Sequence, residues 1–116
     1  MLAAFASRDG KFVSQHFGHT PFFCIVEINE DTFQWHVVEQ RLNEPPCEFG
    51  VHNENALHKS IQLISDCDVL FVAMVGEHAR NELERRGIQT LELTGFIDEI
   101  LEWYISYILK RSESDH

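Results

Sequence analysis

Val69-Leu70-Phe71-Val72-Ala73-Met74-Val75 is a run of seven apolar residues without a polar break. A strand with one wet face alternates apolar and polar side chains, because successive residues point to opposite sides. An unbroken run of this length predicts instead a strand covered on both faces, and such strands take a parallel neighbour in an α/β sheet.

Working outward from it, Gly76 turns the chain into a helix with Ala79 and Leu83 inward and Gly87 as its stop. Residues 88–93 read as another strand. Thr94-Gly95 leads into a helix over 96–109, where Ile97, Ile100, Leu101, Tyr104, Ile105 and Ile108 recur at helical spacing and Asp98 and Glu99 complement the dipole. Upstream, Leu57, Ile61 and Ile64 predict a helix that Asn53 or Asn55 can cap. Three strands precede it, over 1–7, 21–28 and 32–40, the last alternating Phe33, Trp35 and Val37 against Gln34, His36 and Val38. Asp9-Gly10 and Asn29-Glu30-Asp31 are turn sequences, and short connections make these strands an antiparallel meander. Residues 41–53, with Pro45-Pro46, Cys47 and Gly50, form the one long irregular segment.

The order βββαβαβα predicts an α/β fold of the ribonuclease H-like arrangement. One five-stranded mixed sheet would run in spatial order 3-2-1-4-5 with strand 2 alone antiparallel, and right-handed crossovers would distribute three helices over its faces. Residues 1–110 are expected to form a single domain, with 111–116 a polar C-terminal tail; 116 residues suffice to bury a core.

A net charge of −10, with basic residues few and scattered, argues against nucleic acid as a partner. No apolar run approaches a membrane span, and residues 1–8 lack the pattern of a signal peptide. Three cysteines without CxxC spacing suggest no disulfide framework, and a cytoplasmic location is expected. Strand 1, Leu2-Ala3-Ala4-Phe5-Ala6, carries no acid, so the two-metal chemistry of a nuclease is missing, as are a Walker loop and GxSxG. An enzyme is not expected.

The predicted topology gathers four loops at one sheet edge: residues 7–20, 41–53, 75–78 and 94–96. Open α/β sheets bind ligands outside the carboxyl ends of their strands. His16, His19, Cys47, His52 and His78 all fall in these loops, and imidazole and thiolate suit iron, zinc, copper and iron–sulfur clusters. Gly18 and Gly76 would let backbone approach a bulky ligand or take positive φ. A helix starting near Glu77 would aim amides at an anion, with Arg8 and Lys11 adding positive charge. Cys24 and Cys67 read as small core residues, and His36 and His58 take no role.

Several of these elements together carry a family resemblance. Ala6-Ser7-Arg8-Asp9-Gly10 through His16-Phe17-Gly18, the aromatic strand after it, Ser65-Asp66-Cys67-Asp68 before an apolar strand, Gly76, and Gly87-Ile88 followed by Thr94-Gly95-Phe96-Ile97-Asp98-Glu99 resemble the dinitrogenase iron–molybdenum cofactor biosynthesis family. That family includes NifX-like proteins, the core of NafY and the C-terminal domain of NifB. The resemblance implies a non-catalytic carrier that binds an iron–sulfur or iron–molybdenum cofactor precursor as cargo, with nitrogenase assembly proteins as partners. It gives cluster ligation to His16 and, by position, to Cys47; the loop placement above adds Gly18, Gly76 and His78 as cofactor contacts and His19 and His52 as further metal candidates. Two other readings stay open: a mononuclear metal module using His16, His19 and His78, and an interaction domain docking through the strand-3 edge or the Trp103-Tyr104-Tyr107 helix.

Overall fold

A computed structural model describes residues 1–43, 47–48, 51–52 and 54–111, with side chains of 47, 48, 51, 52 and 54 left aside. The Pro45-Pro46 pair, Gly50, Asn53 and the tail from 112 lie outside the described residues.

β1 (Leu2–Ser7) is the centre of the sheet, and its residues Ala3 through Ser7 are all buried. β3 (Phe22–Ile28) pairs with it antiparallel from Leu2↔Glu27 to Ser7↔Phe22, and β4 (Trp35–Leu42) pairs antiparallel with β3. On the other side β7 (Val69–Val72) runs parallel to β1, and β8 (Gln89–Glu92) runs parallel to β7. Two two-residue strands extend the sheet to seven, against the five expected: β2 (Phe12–Val13) pairs with the end of β1 and with β9 (Gly95–Phe96). A separate hairpin, β5 (Cys47–Glu48) and β6 (Val51–His52), gives order to a segment expected to be irregular.

The helices cover both faces. α1 (Glu54–Leu63) and α2 (Glu77–Arg85) close over Ala4, Ala6, Phe23, Ile25, Leu70 and Val72. α3 (Ile97–Tyr104) packs on Ala3, Phe5, Val26 and Phe71. Alanines on β1 leave room for this double cover, and Phe5 stacks on Phe71 at 4.7 Å between ring centroids. Gly87 ends α2 at φ 83, where Ile88 donates back to the Leu83 carbonyl at 3.0 Å. Cys24 and Cys67 are buried and free.

Several expected boundaries shift for visible reasons. The third strand begins at Trp35 rather than residue 32, because Asn29 Oδ1 accepts from the Asp31 and Thr32 amides and Phe33 takes a left-handed φ of 63. Asn55 lies within α1 rather than capping it. The last helix is α-helical only to Tyr104 and then widens into a π turn, Ile105–Leu109. The apolar run that announced the fold pairs as a strand only to Val72, and its remainder has a different neighbour.

A β-bulge at Ile25/Val26 breaks the simple alternation expected of the third strand. The extra residue reverses the phase of β4, so Trp35, Val37 and Gln40 lie opposite Val26-side positions while Glu39 and Arg41 lie opposite Ile25 and Phe23. Arg41 thereby reaches the α1 side, donating to Asp66 at 2.6 and 2.9 Å and to the Leu63 carbonyl at 2.8 Å, which ties down the end of α1.

Candidate functional site

The chain leaves its lane in the sheet at Ser7 and returns to it at Gln15. The excursion is fixed by Asp9, whose carboxylate accepts from the Lys11 and Phe12 amides at 2.9 and 3.0 Å. Those two amides hold its carboxyl below the usual carboxylate range. Ser7 Oγ accepts from the Gly10 amide and donates to the Phe12 carbonyl, closing the turn from within. Gly10 is at φ 76 and lies against the Gln40 side chain, so glycine is required there.

Residues 15–17 then run parallel to the continuation of β7. The Ala73 amide donates to the Gln15 carbonyl at 3.1 Å, the Phe17 amide donates to the Met74 carbonyl at 2.9 Å, and His16 and Met74 form a parallel bridge. This is what becomes of residues 73–75 beyond the strand. His16-Phe17-Gly18-His19 closes as a turn, with the His19 amide donating to the His16 carbonyl at 3.0 Å. Phe17 is its anchor, buried and packed on Phe23, so the flanking His16 and His19 stand exposed with ring centroids 6.2 Å apart.

Gly76 follows Met74 by two residues and caps α2 at φ −67 and ψ 156. The positive-φ glycines among the described residues are Gly10, Gly87 and Gly95, so Gly18 and Gly76 do not use the left-handed freedom expected of them. A Cβ added at Gly76 would meet nothing within 4 Å. Glu77 and His78 are exposed on the first turn of α2, and Arg8 and Lys11 are exposed on the neighbouring excursion.

The third arm is the β5–β6 hairpin, in which Cys47 and His52 are directly opposed. Just past the end of β4, Asn43 is held by a buried polar chain that sequence reading missed. Asn43 Nδ2 donates to the Thr20 carbonyl at 2.9 Å, and Ser60 Oγ donates to Asn43 Oδ1 at 2.7 Å. The Asn43 amide also donates to the Pro21 carbonyl. This joins the histidine turn, the end of β4 and α1. A polar residue just past a strand end was the only signal, and it is shared by many loops.

The structure thus brings His16, His19 and Gly18 together beside Met74 and Gly76, with His78 on the helix that follows. Cys47 and His52 are opposed in the backbone register of the hairpin. Among the described residues no three histidine, cysteine, aspartate or glutamate side chains converge as a metal-binding group, so His16, His19 and His78 do not form a preassembled three-ligand site. Burial pushes the Cys67 thiol up to about 12 and raises that of Cys24, as suits core thiols. No helix among the described residues is long and apolar enough to cross a membrane.

Comparison with known proteins bears on the whole chain. Residues 1–107 match the family described as dinitrogenase iron-molybdenum cofactor. Protein NifX of Klebsiella pneumoniae is 30% identical over 90% of this chain and 68% of its own length. The FeMo cofactor biosynthesis protein NifB of Herbaspirillum seropedicae is 28% identical over 93% of this chain but only 21% of that protein. The chain therefore spans about a fifth of such NifB relatives. Among solved structures, the apo form of the orange protein from Desulfovibrio gigas superposes with a TM-score of 0.61 at 17% identity, covering 90% of this chain and 87% of that one. PH0822 gives a TM-score of 0.65 at 21% identity, covering 94% and 99%. At these identities the structural likeness speaks for the fold.

Proposed function

Since this chain belongs to the dinitrogenase iron-molybdenum cofactor family, we propose that it is a non-catalytic carrier of an iron–sulfur or iron–molybdenum cofactor precursor in nitrogenase cofactor assembly. The observation that carries this reading is the backbone bridge between His16 and Met74. It sets the histidine turn against the segment that leads into the glycine-capped start of α2, and the Asn43–Thr20 hydrogen bond ties the end of β4 to the same turn, which supports this reading. His16 and Cys47 are the cluster ligands in this reading, with Gly18, Gly76 and His78 around the cargo and His19 and His52 in reserve. The pairing of the long strands supports assigning the sheet to the ribonuclease H-like arrangement.

Anaerobic incubation with iron and sulfide, or with cofactor precursor, should give visible-range absorption that weakens in His16→Ala and in Cys47→Ala. Protein that stays colourless under all these conditions would sink the reading. One observation favours a docking role instead: β4 is an edge strand with Trp35, Val37, Val38 and Leu42 all exposed. That role predicts full partner binding by a His16→Ala, Cys47→Ala double variant.

A further inference from the structure

We propose that Met74 supplies a thioether ligand at this same site, so that His16, His19 and Met74 together take a soft monovalent metal ion, Cu(I). This ligand set shares with the reading above the location of the site, not its cargo.

The chain has two methionines, and Met74 is the one that does not begin it. Methionine ordinarily fills core gaps. Met74 is instead 53% exposed, although the next residue, Val75, is buried. Bridged residues on adjacent strands share a face and lie about 4.8 Å apart, and the residue bridged to Met74 is the exposed His16. The turn then returns His19 to within 6.2 Å of His16, ring centre to ring centre. A metal about 2.0–2.1 Å from an imidazole nitrogen sits roughly 3.2 Å from the ring centre, so two rings on one ion can be at most about 6.4 Å apart. The observed separation fits under that limit at a wide nitrogen–metal–nitrogen angle. Tetrahedral ligation would need the rings closer, nearer about 5.3 Å. A wide angle with a neighbouring thioether suits Cu(I), which accepts low coordination and soft sulfur. It does not suit Zn(II), which wants four tetrahedral ligands and ignores thioethers.

Untagged protein titrated anaerobically with Cu(I) against a colorimetric chelator should bind one ion per chain. Met74→Leu should raise the Kd at least tenfold while leaving Zn(II) binding and the urea midpoint unchanged. X-ray absorption of the Cu(I)-loaded protein should show one sulfur neighbour, lost in Met74→Leu and kept in Cys47→Ser. No Cu(I) uptake, a Kd for Met74→Leu within twofold of wild type, or a sulfur neighbour lost only in Cys47→Ser would each overturn the assignment. Met74-dependent Cu(I) binding by a protein that stays colourless with iron and sulfide would uphold it while removing the cluster cargo. Cluster uptake with Cu(I) binding indifferent to Met74 would do the reverse.

Discussion

Replacing Asn43 with alanine should unfold the protein far more readily than its position after an edge strand suggests. The side chain makes two hydrogen bonds, one to the Thr20 carbonyl and one from the Ser60 hydroxyl. Thr20 and Ser60 are 0% exposed and Asn43 6%, so neither orphaned partner can turn to bulk water. Each buried group left unsatisfied costs about 1–3 kcal/mol. A water entering the vacated space recovers part of this, which sets the expected loss at about 2–4 kcal/mol. Against a total stability of about 5–15 kcal/mol that is a large fraction. Urea unfolding with linear extrapolation would measure it. Ser60→Ala alone leaves only Asn43 Oδ1 short of a donor and should cost less. The double variant should be more stable than the two single losses predict, by about 1 kcal/mol, because the shared bond is counted once. An Asn43→Ala loss under about 0.5 kcal/mol, or strict additivity with Ser60→Ala, would refute the buried-chain account.

Two glycines should respond in opposite ways. Gly76→Ala has an ordinary φ and an empty surround, so it should cost less than about 1 kcal/mol while lowering cluster uptake, read by visible absorption. Gly10→Ala, at φ 76 against Gln40, should lower the urea midpoint clearly. Arg41 holds the Asp66 carboxyl below its ordinary value of 3.8. A depressed folded value gives stability that is present above pH 3.8 and lost as pH falls through the folded value, so Asp66→Asn should flatten the acid limb of a stability–pH curve below about pH 4. Cys24 and Cys67 should resist alkylation at pH 8 in native protein and react in urea, as peptide mapping would show. Rapid native labelling of Cys67 would contradict its burial.

The long strands and the helix faces were legible because burial imposes period on sequence. The 69–75 run, the Leu57-Ile61-Ile64 face and the Gly87 stop all reflect local rules that tertiary contacts leave intact. The π turn at Ile105–Leu109 was not legible, since its apolar residues keep helical spacing. The bulge in β4 was hidden for a similar reason: Val37-Val38 reads as one more pair of strand residues, and only the pairing with β3 reveals the extra one. At the site, the turn chemistry of Asp9-Gly10 and the histidines were visible. Met74 was absorbed into an apolar run and read as core, because no local signal distinguishes a methionine facing a partner segment from one facing a helix. Asn43 was passed over because a buried hydrogen-bond chain joins residues 20, 43 and 60, which no short window contains.

The bridge at Met74 joins parts of the chain more than fifty residues apart, with Phe17 donating to the Met74 carbonyl just beyond the end of β7, which lies beside β1. Contacts of such sequence separation form late, after the entropy of closing the intervening loop has been met. A chain still emerging from the ribosome, or one opened locally at β7, therefore has the histidine turn but no wall opposite it. In the carrier reading proposed above, readiness to receive cargo would become a report on complete folding, and a bound metal or cluster would in turn hold closed the seam on which it depends.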